Sequence, residues 1–149
     1  MKSKTQRLII LIAEDDPDDQ LLIRDALKTA RVEHELVFLT DGLELMDYLN
    51  QRGKFSRPED APRPSLILLD LNMPRMDGRE ALEEIKSNEK TRRIPVVVFT
   101  TSDSEADIHQ CYDLGGNAYV VKPEDFDELV RIMKTLNDHW GETAEISPL

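Results

Sequence analysis

Apolar residues fall along this chain in two alternating rhythms. Short runs occur at Leu8 to Ala13, Glu35 to Leu39, Leu66 to Leu69, Val96 to Phe99 and Ala118 to Val121. They are rich in Val, Ile and Leu and end in polar turn-formers, as strands buried on both faces do. Between them the apolar positions open out to helical spacing. Leu22, Ile23, Ala26, Leu27 and Ala30 form one such face, and Phe126, Leu129, Val130, Met133 and Leu136 form another. Helix starts are marked as well. Asp16 reads as an N-cap with Pro17 at the first helical position, where the missing N–H costs nothing. Asp41 with Glu44, Asp77 with Glu80, and Asp125 with Glu128 repeat the spacing of a capping box. Strand then helix, five times over, predicts an α/β domain on a parallel sheet.

That architecture has a chemical consequence. Crossovers between parallel strands are right-handed, so helices cover both faces and the strands' C-terminal ends gather along one edge. Ligand chemistry in such sheets belongs at that edge. Here the first run ends in Glu14-Asp15-Asp16 and the third in Asp70, which the turn-rich Leu71 to Gly78 cuts off at once. The fourth ends in Thr100-Thr101 and the fifth in Lys122-Pro123. Carboxylates from two strands make a nest of like charge that needs a cation, and Mg²⁺ suits carboxylate, carbonyl and water oxygens. Taken singly, each residue has a plain reading. Acids after a strand cap the next helix, Asp70 makes an Asx turn, Lys122 is a surface residue and Thr100 a β-former. Their coincidence at four strand ends is what points to a site.

Composition narrows the classes. At 149 residues the chain fits one domain, over residues 8–140, with residues 1–7 and 141–149 as tails. A net charge of −11 argues against nucleic acid, whose binding depends on Lys and Arg displacing counterions. Cys111 is the only cysteine, so no intrachain disulfide forms and a reducing compartment is expected. The N-terminus carries Lys2, Lys4 and Arg7, but acids interrupt the apolar stretch too soon for a signal peptide or a membrane span. The expected location is the cytoplasm. His34, His109 and His139 show no metal-ligand spacing with one another or with Cys111 and read as structural or surface residues.

The set Glu14-Asp15, Asp70 followed by Met73-Pro74 and Met76-Asp77-Gly78, Thr100, and Lys122-Pro123 resembles the receiver domain of two-component response regulators. The resemblance runs from about Leu8 to Leu136. The wording Asp70-Leu71-Asn72-Met73-Pro74, the run Thr100-Thr101-Ser102-Asp103 and Trp140 after the last helix are most similar to the small regulators that pair with bacterial phytochromes. The resemblance implies a doubly wound, flavodoxin-like (βα)5 fold with strand order 2-1-3-4-5, whose switch point lies between the first and third strands. It implies Asp70 as phosphoacceptor, taking a phosphoryl group from a sensor histidine kinase of phytochrome type. Asp15 and Asp70 would bind Mg²⁺ by side chain, Asn72 by its backbone carbonyl and Glu14 through water. Lys122 and Thr100 would hold phosphoryl oxygens, and Tyr119 would move with Thr100 in a population shift.

On this reading the chain is a signalling domain and not an enzyme in its own right, although it assists its own phosphorylation and dephosphorylation. It ends soon after the last helix and so reads as a stand-alone receiver acting through a protein partner. The face of the fourth helix, fifth strand and fifth helix is expected to serve that partner or a homodimer, with Tyr112, Phe126 and Trp140 as anchors or as core. Arg52 to Pro64 is a long connection, either a kinase contact or a tolerated insertion. Other readings are a phosphate sink, or a receiver fold that binds partners without phosphate. A haloacid-dehalogenase-like phosphatase needs a second aspartate two residues past the nucleophile, where this chain has Asn72.

Overall fold

The structure, a computed structural model, describes residues 9–141. Leu8 and most of the expected tails lie outside the described residues. Five strands, β1 (Ile9–Ala13), β2 (Glu35–Leu39), β3 (Leu66–Leu69), β4 (Val96–Thr100) and β5 (Ala118–Val121), alternate with α1 (Pro17–Thr29), α2 (Gly42–Asn50), α3 (Gly78–Ser87), α4 (Glu105–Asp113) and α5 (Phe126–Leu136). The sheet is parallel throughout, in the order β2-β1-β3-β4-β5. In-register pairs such as Ala13 with Leu39 and with Leu69 bring the ends of β1, β2 and β3 level.

Alternate strand residues feed two cores, because side chains change face at every step. Leu11, Ala13, Ile67, Leu69, Val96 and Val98 pack on the side of Leu45, Leu82, Ile85 and Cys111. Ile10, Ile12, Leu66, Leu68, Val97 and Phe99 pack on the other side, against Ile23, Ala26 and Leu27 of α1 and Leu129, Met133 and Leu136 of α5. Both faces are covered, which is why the central strands read as unbroken apolar runs. Two members of the predicted helix faces lie outside this packing. Leu22 is 45% exposed and Phe126 36% exposed. Leu22 sits at the margin of the arc that α1 buries, and Phe126 opens α5 about one turn before Leu129, the first α5 residue in that core.

Most helix starts form as their residues require. The Asp41 side chain accepts from the Glu44 N–H at 2.8 Å, while the Glu44 carboxylate turns back to the Thr40 N–H. Asp125 accepts from Glu128 and Asp16 from Asp18. Asp77 departs from the capping-box spacing and accepts from Arg79 at 2.7 Å. Ser104 caps α4, accepting from Asp107. The long connection after α2 is folded, with 3₁₀ turns at Gly53–Phe55 and Pro58–Asp60. The buried ring of Tyr48 meets Phe55 edge-on at 5.1 Å and its hydroxyl donates to the Pro62 carbonyl at 2.7 Å, so the segment covers the lower end of α2.

Candidate functional site

The C-terminal edge of the sheet brings the expected residues together. Backbone bonds fix the strand ends first: the Glu14 N–H donates to the Leu39 carbonyl, Asp70 to Ala13, and Lys122 to Thr100. Carboxylate oxygens of Glu14, Asp15 and Asp70 then lie within 4.8 Å of one another, with Glu14 and Asp70 buried and Asp15 exposed. The Lys122 ammonium reaches across from β5 and donates to Glu14 Oε1 at 2.6 Å, to Asp19 Oδ2 at 2.7 Å and to Asp70 Oδ2 at 3.3 Å. The other Asp70 oxygen accepts from the Asn72 N–H at 3.3 Å.

The electrostatics record a shortage of positive charge. Burial pushes the Glu14 carboxyl up to about 7 and Asp70 adds to the rise, while bonds from Lys122 and the Asp16 N–H oppose it. Burial also works against the Lys122 ammonium, but its bonds to Asp19 and Glu14 outweigh that and raise its pKa above the ordinary lysine value. Three carboxylates thus surround one ammonium, and the Asp15 carboxylate joins Glu14 and Asp70 beside it. Hard oxygen donors, one of them open to solvent, fit a divalent cation of the magnesium and manganese class.

Thr100 lies at the end of β4, fully buried, and its hydroxyl oxygen has no hydrogen-bond partner. A buried hydroxyl left unpaired costs about 1–3 kcal/mol, which is retained where a ligand supplies the partner. Tyr119 on β5 is half-buried against the core, and its hydroxyl donates to the Ser102 carbonyl at 2.8 Å. Ser102 in turn donates to Asp107 at 2.6 Å, and Asp107 accepts from Arg79 at 2.8 Å. The loop after β4 is therefore tied to α3, α4 and β5 together.

The loop from Asp70 to α3 is shaped by close approaches. A Cβ on Gly78 would stand 2.3 Å from the Asp70 carbonyl oxygen, and one on Gly42 would stand 2.2 Å from that of Met76. Neither position admits a side chain. Between them Arg75 adopts φ +67° and its guanidinium grips Asp41 through two bonds, at 2.9 and 3.2 Å. Burial would raise the Asp41 carboxyl, but Arg75 and the α2 N–H groups together hold it below its usual range.

Asp19, Gln20 and the Asp41–Arg75 pair also belong to this edge, and no local sequence pattern marks them for it. Gln20 donates to the Glu14 carbonyl at 2.6 Å. Asp19 reads in the sequence as an acid in a helix's first turn, and only the reach of Lys122 from the far strand shows its second use. Of the proposed anchors, Tyr112 and Phe126 are exposed, whereas Trp140 is half-buried against the α1 and α5 core.

This edge belongs to a known class of site. The response regulator receiver domain model matches residues 10–134, and the chain belongs to that family, which works in two-component signal transduction. Among its relatives is the response regulator Rcp1 of Synechocystis sp. PCC 6803, 44% identical over 138 residues that cover 93% of this chain and 92% of Rcp1. The Mn²⁺-bound structure of Rcp1 superposes with a TM-score of 0.81, covering 91% of this chain and 96% of that one at 45% identity. The phosphorylated cyanobacterial phytochrome response regulator RcpA gives 0.83 at 45% identity, covering 91% and 94%. Response regulator RPA3017, from red light signaling of R. palustris, gives 0.86 at 36% identity, covering 91% and 95%. The doubly wound fold and its strand order are those of the family.

Proposed function

We propose that this chain, as one receiver domain over residues 8–140, accepts a phosphoryl group on Asp70 from a phosphohistidine of a phytochrome-type sensor kinase. The observation that carries this reading is the Lys122 ammonium set between Glu14, Asp19 and the Asp70 carboxylate at the sheet edge. An Asp70 oxygen attacks phosphorus, the P–N bond breaks as the P–O bond forms, and the departing imidazole takes up a proton from solvent. Carboxylate is a weak nucleophile, so positioning and charge neutralisation supply the rate. Mg²⁺ bound by Asp15, Asp70 and the Asn72 carbonyl, with Glu14 through water, would neutralise charge on the phosphoryl oxygens. Lys122 holds one of those oxygens, and the unpaired Thr100 hydroxyl donates to another.

Phosphorylation is then read out through the loop after β4. Movement of Thr100 shifts Ser102 two residues on, and with it the carbonyl that holds the Tyr119 hydroxyl. The face beside it carries exposed Tyr112, Val121 and Phe126 and suits a protein partner or a second copy. Exposed Leu21, Leu22 and Leu43, in the opening turns of α1 and α2, offer apolar contacts near the phosphoacceptor edge for the kinase. Among the described residues no helix is long and apolar enough to cross a membrane, and the single cysteine suits the cytoplasm. The acyl phosphate is hydrolysed at the same site, which makes the signal transient.

Intact mass after incubation with acetyl phosphate and Mg²⁺ tests the reading, beside Asp70→Asn and an EDTA control. One hydroxylamine-labile phosphate, absent from the variant and without metal, is expected. A wild-type chain that takes no phosphate under these conditions, or phosphate that persists in Asp70→Asn, overturns it.

A further inference from the structure

We infer that Asp19 is a positioning residue for phosphoryl transfer, holding the Lys122 ammonium so that its third N–H faces the oxygen of Asp70 that receives the phosphoryl group. The inference rests on the assignment of Asp70 and Lys122 above. Lys122 leaves β5 at the far side of the sheet from β1, and a flexible four-carbon stem carries its charge across. Such a group needs fixed anchors to act at one point. It has two short bonds, to Glu14 and Asp19, and one long one, to Asp70 at 3.3 Å. The long one marks the donor left available.

The two anchors differ in what else they do. Glu14 shares the carboxylate cluster with Asp15 and Asp70, so a bound cation draws on its oxygens. Asp19 stands outside that cluster, and its oxygen is left to Lys122. Its support is rigid. It is the third residue of α1, a helix capped by Asp16, and the next residue, Gln20, ties the same turn to the Glu14 carbonyl. A helix-dipole role alone would not require a 2.7 Å bond to the end of β5, and Asp18 in the same turn already supplies that charge.

The test compares Asp19→Ala, Asp19→Asn, Asp18→Ala and Lys122→Ala in the full chain with acetyl phosphate and Mg²⁺. Phosphorylation is followed by intact mass, Mg²⁺ affinity by calorimetry and folding by thermal melt. Asp19→Ala should phosphorylate about tenfold more slowly, the size expected for one charge-assisted hydrogen bond. Asp19→Asn keeps an oxygen acceptor and should recover most of that rate, although both variants lose the same charge and shift Mg²⁺ affinity alike. Asp18→Ala should match the wild type, and the melts of both Asp19 variants should coincide. A wild-type rate in Asp19→Ala, or equal losses in Ala and Asn, overturns the inference. If Lys122→Ala phosphorylates normally, the assignment of Lys122 has failed and this inference falls with it.

Discussion

Two lysines at opposite ends of the strands each donate to three oxygens, in cradles of different charge. Lys122, at the C-terminal edge, donates to three carboxylates, Glu14, Asp19 and Asp70. Lys86, on α3, donates to three neutral oxygens at the other edge: the carbonyls of Arg92 and Ile94, at 3.0 and 2.8 Å, and Asn117 Oδ1 at 3.0 Å. Asn117 also accepts from the Val96 N–H, so Lys86 staples α3 to the starts of β4 and β5. Burial pulls Lys86 down to about 8, with only dipoles to resist it, whereas ion pairing carries Lys122 upward. Neutral oxygens give a bond with nothing left to attract, which is a structural fastening. Carboxylates in excess give a cradle that still attracts cations and can exchange one partner for another.

The largest effect should come from Lys122→Met. Loss of the ammonium should slow phosphorylation by acetyl phosphate about 100-fold, the scale for removing one donor aimed at developing charge. With its internal cation gone the carboxylate cluster should depend more on metal, so the rise in Tm from EDTA to Mg²⁺ should exceed that of the wild type. A smaller rise would mean that Lys122 and the metal do not share the same charges.

Lys86→Met should do the reverse. Three oxygens lose their donor at the lower edge, and urea unfolding should show a loss of about 2 kcal/mol with the phosphorylation rate unchanged. A slowed rate at preserved stability would erase the contrast between the two edges.

Thr100→Val replaces the unpaired buried hydroxyl by a methyl group of similar size. The unphosphorylated chain should gain about 1 kcal/mol, because an unsatisfied polar atom is removed. The same change should diminish the extra thermal stability conferred by phosphorylation, measured on separated phosphorylated and unphosphorylated protein.

Arg75→Ala should have the smallest effect on stability at neutral pH, because the guanidinium is largely exposed and its ion pair is screened by solvent. Its pH dependence is the sharper readout. Asp41 is held below its usual range, so the bond to Arg75 stabilises the fold at pH above the ordinary aspartate pKa of about 4, and that contribution is lost as pH falls through the folded value. The gap between wild type and Arg75→Ala should therefore close in acid; a gap that stays constant would assign the effect to packing of the arginine stem.

Pattern along the chain is enough to mark the strands, the helix starts at Asp16, Asp41, Asp77 and Asp125, and the acid, hydroxyl and amine at four strand ends. These are local matters, set by side-chain period, capping geometry and the polar residues that stop a strand. Resemblance supplied the strand order, and with it the expectation that Glu14, Asp15 and Asp70 meet. Long-range contacts follow from the folded chain alone. Asp19 looks like a helix-dipole acid until Lys122 arrives from a strand 103 residues away in sequence. Arg75 looks like a surface cation in a turn until α2 presents Asp41. Leu22 and Phe126 satisfy a helical pattern, yet only the packing of the whole chain shows that they remain exposed. Period and propensity act over a few neighbours, whereas the partner of a long charged side chain depends on where the whole sheet places its edges.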